Sequence, residues 1–319
     1  MAVPDIAVSG DGAANPRRSL EAASPRYGEQ AIKGFLFLCA ALSVAVTTAI
    51  VFALVIPAFS FFGEVPLGEF LTGTRWAPAF ADAHFGVLPL VVGTLIVVAF
   101  ALLVAIPVGL ASAIYLSEYA PPRVRKTVKP LLEVLAGIPT VAIGLFAYLF
   151  VIPWAQDTFT FLDWQGVQST GVAGIAVGFL IVPLVSSVSD DAMQSVPASL
   201  REGAYALGAS KLRVSMRVVF PAAISGIIAS IILATSRAIG ETMVVLLAGG
   251  AGNPNLTFNP WQSVQTITAF IGGTATGDIA TGTLQYDTIF AVGLLLFVMT
   301  LTMNLIAIRL VRRFREEYE

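Results

Sequence analysis

Six apolar runs divide this chain of 319 residues, at approximately 34–59, 87–116, 131–155, 172–194, 219–248 and 287–310. A helix of ~20 residues crosses a hydrocarbon core of about 30 Å, and each run is long enough. The composition leaves no soluble alternative, with 56% of residues hydrophobic, 12% charged and a mean hydropathy of +0.84. Inside a bilayer every backbone polar group must find a partner within the protein, so runs of this kind become helices. The fold class that follows is an all-α membrane protein with six transmembrane helices. Pro107, Pro139, Pro153 and Pro183 fall inside the runs. Each is expected to kink its helix and free a carbonyl that a neighbour must satisfy.

The basic residues set the orientation. Four lie in the N-terminal tail (Arg17, Arg18, Arg26, Lys33), four in 117–130 (Arg123, Arg125, Lys126, Lys129), four in 195–217 (Arg201, Lys211, Arg213, Arg217) and four at the C-terminus (Arg309, Arg312, Arg313, Arg315). These are sixteen of the eighteen Lys and Arg. By the excess of positive charge on the inner side, both termini and the 195–217 segment are expected to be cytoplasmic. Residues 1–32, polar and punctuated by Pro4, Pro16 and Pro25, read as a mobile cytoplasmic tail ahead of a transmembrane domain at 33–319. The outer loops are then 60–86, 156–171 and 249–286. The first has room for a short amphipathic helix, and Trp154 and Trp164 stand where an interfacial belt would lie. The last is rich in Gly, Thr and Asn, lacks Lys and Arg, and suits a docked receptor or a solvated cover equally well.

Two charges interrupt the fifth run, Arg237 and Glu241 in ATSRAIGETMVV. Arg at a bilayer centre costs roughly 2.5–3.5 kcal/mol on insertion scales. At i,i+4 the two share a helix face, continuing a stripe of Gly226, Ser230 and Ala234 that should face protein or a watery path. Sixteen residues beyond Pro221 rise about 24 Å, which puts Arg237 past the midplane toward the outer side. Two readings fit the pair equally: a guanidinium that offers paired donors to a passing oxyanion, or a neutralised pair that holds helices in register.

Between the fourth and fifth runs lies ASLREGAYALGASKLRVSMRVVFP, residues 198–221. Ser199 and Glu202 are spaced for a capping box, Ala204 to Leu207 for a short helix, and Gly208 for its end. Lys211 to Phe220 then re-enters the apolar phase at Pro221. The spacing of Glu202, Gly203, Ala204, Gly208, Val218, Phe220 and Pro221 resembles the EAA-x3-G-x9-I-x-L-P signature of binding-protein-dependent ABC import permeases, with Gly, Val and Phe replacing the usual Ala, Ile and Leu. In that family the loop is a helix that docks into a separate ATP-hydrolysing subunit.

The resemblance narrows over the rest of the chain. SRAIGETM is similar to the fifth-span motif of the phosphate-specific, PstC-type permease. So are FLTGTRWAP at 70–78, PVGLASAIYLSEYAP at 107–121, KPLLEVLAGIPT at 129–140 and VPLVSSVSDDAM at 182–193. This implies a type I importer permease fold in the bacterial inner membrane, importing inorganic phosphate by alternating access. It implies a sister permease (PstA-type), two ATPase subunits (PstB-type) carrying ATP-Mg, and an external phosphate-binding protein (PstS-type), with surrounding lipid and no nucleic acid. It further implies that Arg237 and Glu241 serve the path, while Glu202, Gly203, Ala204 and Gly208 couple the ATPase.

Other chemistry is poorly supplied. No Lys stands in G-x-x-x-x-G-K-[ST], so no nucleotide cofactor is expected in this chain. One cysteine, Cys39, and one histidine, His84, leave no disulfide, no Cys/His metal site and no intramembrane Ser–His pair. The chain therefore reads as a translocation subunit and not an enzyme. Asp190 and Asp191 read as helix-end carboxylates, Glu118 and Glu133 as members of ordinary surface pairs, and His84 as solvated. A permease for sulfate or molybdate is the near alternative. An ion-coupled carrier with Glu241 as its proton site is the distant one.

Overall fold

The computed structural model describes residues 27–277 and 279–313. Most of the expected tail, with Arg17, Arg18 and Arg26, and the C-terminal Arg315 lie outside the described residues. The elements run α1 (Tyr27–Glu64), α2 (Leu67–Thr72), β1 (Trp76–Ala77), β2 (His84–Phe85), α3 (Leu88–Ile114), α4 (Pro122–Ala136), α5 (Thr140–Phe146), α6 (Ile152–Thr158) and α7 (Thr170–Gln194). They continue as α8 (Ala198–Ala206), α9 (Lys211–Val214), α10 (Phe220–Ala222), α11 (Ile224–Ile239), α12 (Ile267–Ala275) and α13 (Leu284–Arg313). Wide π turns extend α3 through Tyr119, join α5 to α6 and α9 to α10, and shape Val245–Gly249. Among the described residues five helical stretches are long and apolar enough to cross a membrane, and a bent sixth is formed by Lys211–Ala222 with Ile224–Ile239. The chain divides into two compact units. One ends at Phe52 and holds the first part of α1, with its apolar side chains exposed; the other is Ala53–Glu319.

Within the larger unit α7 is the central post, the most deeply buried of the spans. Glycines bring α3 against it. A Cβ at Gly174 would lie 2.7 Å from Phe100 Cβ, and one at Gly109 an equal distance from Val185 Cβ. Helices that approach this closely exchange dispersion contacts along their length, the main source of cohesion where lipid is as apolar as the side chains. Val97, Ala101, Ile181, Val185, Ala234 and Ala238 form the shared core of α3, α7 and α11.

The two ends of the bundle differ. At the loop-rich end β1 and β2 pair antiparallel, with Trp76 opposite Phe85. Phe61, Phe70, Trp76 and Phe270 meet there edge to face at 4.9 to 6.3 Å between ring centres. The short helix expected in 60–86 is α2. The Gly/Thr/Asn-rich segment contains a helix that the sequence reading missed, α12, whose first turn is capped by Thr266 accepting from Ala269 N. His84 is not simply solvated: its Nε2 lies 3.0 Å from Asp82.

Three expected boundaries move. Residues 27–32 are helical, continuous with the first span. The third run does not begin at 131. The segment 122–136 is the separate amphipathic helix α4, and the span is Thr140–Thr158. Pro139 has no N–H to continue a helix and excludes Ile138 from helical geometry, so it ends α4 instead of kinking a longer span. The fifth run is not one helix either. It bends by 70° near Ala223 and stops at Gly240.

Candidate coupling and translocation sites

The short helix after α7 starts at Ala198, behind Pro197, whose backbone is extended. Ser199 is therefore already inside the helix, and the capping box with Glu202 does not form: no side chain caps this N-terminus. The C-terminus is as the sequence suggests and better built. Gly208 has φ +79, its N–H meets Tyr205 O at 2.9 Å, and Ala209 N meets Ala204 O at 3.1 Å. This pair of bonds is the Schellman closure, which needs a left-handed residue and favours glycine. A Cβ at Gly208 would meet nothing within 4 Å, and Leu207 beside it is 90% exposed. Glu202 and Gly203 are exposed too, and Ala204 is half-buried.

What fastens α8 to the bundle is Arg201, a residue the sequence reading passed over. Its guanidinium donates to Val196 O at 2.6 Å, to Met193 O at 2.7 Å and to Glu118 Oε1 at 3.2 Å. Val196 lies in the linker after α7 and Met193 in its last turn, where Pro197 has no N–H to offer as the i+4 donor. Glu118 is no ordinary surface partner, since its side chain is 6% exposed and closes the end of α3. The sequence signal was an Arg eight residues past Met193; its partner, 83 residues away, was not visible.

A second clamp sits one turn earlier. Asp190, fully buried, accepts from Arg125 at 3.1 Å on both oxygens, from Gln194 at 2.7 Å, and pairs with Lys129 at 3.5 Å. Lys129 also binds Asp191, and that hydrogen bond raises the pKa of its ammonium, keeping it charged. Asp190 is thus the anchor that ties α4 to α7 and not an interfacial carboxylate in water.

The structure separates Arg237 from Glu241. α11 ends at Ile239, and Glu241 lies in the break that follows, so the expected common face is lost. Glu241 is half-buried; its Oε1 accepts from Val244 N at 3.3 Å and its carbonyl from Thr268 Oγ1 at 2.6 Å. The stripe preceding them faces protein. Gly226 abuts Ala192, Ser230 bonds Ser189 at 2.8 Å, and Ala234 is fully buried. Arg237 turns away from that contact and is exposed. It lines a cavity of about 250 Å³ with Leu180, Pro183, Leu184 and Ser187 of α7 and Glu133 of α4. Leu180 and Pro183 are at the middle of α7, so Arg237 is not displaced toward the loop-rich end. The bend near Ala223 shortens the rise, and helical side chains lean toward their own N-terminus. A guanidinium facing a cavity can take a two-oxygen anion without first breaking a bond to protein.

Comparisons with known proteins give the family and the fold. The family of binding-protein-dependent transport system inner membrane components matches residues 105–316. The probable ABC transporter permease protein YqgH of Bacillus subtilis is 34% identical over 267 residues, 82% of this chain and 84% of its own. The phosphate transport system permease protein PstC 1 of Mycobacterium tuberculosis is 33% identical over 276 residues, 77% of this chain and 82% of its own. Among solved structures, a bacterial ABC transporter involved in the import of alginate aligns at a TM-score of 0.57 and 16% identity, over 92% of this chain and 100% of that one. The MetNI methionine ABC transporter aligns at 0.52 and 17%, over 72% and 95%. These two carry the fold alone, that of the type I importer permeases, and the sequence relatives carry the family. The chain belongs to the binding-protein-dependent transport system inner membrane components, and is a multi-pass translocation subunit of an ABC importer whose ATPase is a separate chain.

Proposed function

We propose that this permease imports inorganic phosphate by alternating access, driven by a separate ATPase through α8. The observation that carries the coupling is that α8 is exposed along Glu202, Gly203, Leu207 and Gly208 yet is fixed by Arg201 to the ends of both α3 and α7. A helix free on one side and clamped on the other can pass a docking partner's motion to the bundle. Phosphate as cargo is supported by the PstC relatives and by Arg237, an intramembrane cation open to a cavity. In this reading both termini are cytoplasmic, and α4 and α8 lie on that side. A PstA-type sister chain completes the path, two PstB-type subunits bind ATP-Mg, and a PstS-type receptor loads the outer loops. ATP binds the closed ATPase pair more tightly than the open one, and that difference shifts the permease between its two states.

The test is uptake of radiolabelled phosphate by proteoliposomes that hold this chain, its sister and the ATPase, with receptor outside and ATP inside. Phosphate uptake that needs both, resists excess sulfate and disappears in Arg237→Gln is expected. Suppression by sulfate or molybdate changes the cargo, uptake on an ion gradient without ATP overturns the mechanism, and normal uptake by Arg237→Gln removes Arg237 from the path.

A further inference from the structure

We infer that Glu133 is the counter-charge that Arg237 meets on the cytoplasmic side of the path, and that it hastens release of the anion by competing for the guanidinium. This rests on the reading of Arg237 as a path residue. Glu133 and Arg237 come from separate elements, α4 and α11, and line one cavity whose other walls are mostly apolar, among them Pro183 and Leu184. Among the described residues neither side chain makes a hydrogen bond or ion pair, with the other or with anything else. At about 250 Å³ the cavity between them exceeds the ~30 Å³ share of one water several times over, so an ion with part of its hydration shell fits.

The position of Glu133 is enforced. Arg125, Lys129 and Glu133 follow at steps of four, which puts them on one face of α4. The first two are held on Asp190 and Asp191 at the end of α7. The third is then directed along the same helix toward Ser187 and Leu184, one to two turns back from that end. The clamp that looks purely structural thus aims a carboxylate into the cavity of Arg237. With the cavity empty, the carboxylate offsets the guanidinium across it. An anion seated on Arg237 is repelled by it across the cavity they share. Arrival from outside, away from Glu133, is less affected than retention at the cytoplasmic mouth, so the residue favours release inward and opposes rebinding.

The experiment uses the complex of this chain, its sister permease and the ATPase in nanodiscs without nucleotide, titrated with radiolabelled inorganic phosphate, alongside the uptake assay. Glu133→Gln should bind phosphate about tenfold more tightly than the parent, from loss of one like charge at short range, and transport more slowly. Glu133→Asp should resemble the parent, and adding Arg237→Gln to Glu133→Gln should erase the gain. If Glu133→Gln binds no more tightly than the parent while Arg237→Gln loses uptake, the release role is wrong and the path reading stands. If the gain survives in the double variant, the two residues do not act on one anion. Normal uptake by Arg237→Gln alone defeats the path reading and this inference with it.

Discussion

The first turn of α7 is held by neutral hydrogen bonds, and its last turn by charges. At the first turn Ser169 caps Val172 N, Thr170 Oγ1 donates to Gln262 O at 2.9 Å and accepts from Val264 N at 2.9 Å, and Gly171 N meets Pro260 O at 2.6 Å. These partners are short side chains and backbone, with almost no freedom to re-form elsewhere. At the last turn the partners are Arg125, Lys129 and Arg201, long side chains from α4 and α8. Such side chains keep a bond while their helix shifts by an ångström or more, or exchange one acceptor for another. Under the proposed mechanism, the difference suits a machine that receives a load at one end and transmits force at the other. On that reading the loop-rich end would stay in place, and the basic end would hold through movement.

Substitutions can break this contrast, and the largest effect is expected at the buried anion. Asp190→Ala strands Arg125 and Lys129, both more than a quarter exposed and so partly rescued by water; a loss of about 2–3 kcal/mol follows, below the range for a fully buried pair. Thermal unfolding of the purified complex reads it, and Asp190→Asn, which keeps an acceptor for Gln194, should lose less. An unchanged midpoint in Asp190→Ala would mean that α4 is held by something else. Next comes Arg201→Ala, which removes three charged hydrogen bonds from α8 but no core packing. ATP hydrolysis should continue while transport per ATP falls about tenfold, equivalent to one charged hydrogen bond of coupling. Arg201→Lys should recover only part, because an ammonium lacks the planar fork. Equal losses of hydrolysis and transport would show that α8 is needed for docking and not for transmission. The smallest effect belongs to the other end. Thr170→Val keeps the shape and loses the hydroxyl's hydrogen bonds to Gln262 and Val264, costing about 1 kcal/mol locally. Its thermal shift should be indifferent to salt, whereas that of Asp190→Ala should vary with it. A Thr170→Val shift that tracks ionic strength would collapse the distinction between the two ends.

Much of the fold could be read in advance where the signal was local. Hydropathy located the spans because partition into lipid is a property of each segment by itself, and the turn at Gly208 was legible because a left-handed residue after a helix is a local demand. The capping box at Ser199 failed for a local reason as well: Pro197 offers an earlier start, and spacing alone does not rank two starts. The third run was misjudged because the apolar end of the amphipathic helix α4, 131–136, was joined to the span beyond it, although Pro139 was in view.

The sequence by itself determined that the chain is a bundle of membrane helices, where the exposed helix α8 ends, and that one arginine stands among apolar residues. Only the tertiary structure decided what the charges meet. It turned the Gly226–Ser230–Ala234 stripe onto α7, took Glu241 out of the helix of Arg237, joined Arg201 to Glu118, and set Glu133 in the cavity of Arg237. The physical reason is range. A residue's preference for lipid or for a helical turn is settled within a few neighbours, while an ion's partner is settled by whichever segments pack beside it, here 65 and 83 residues apart.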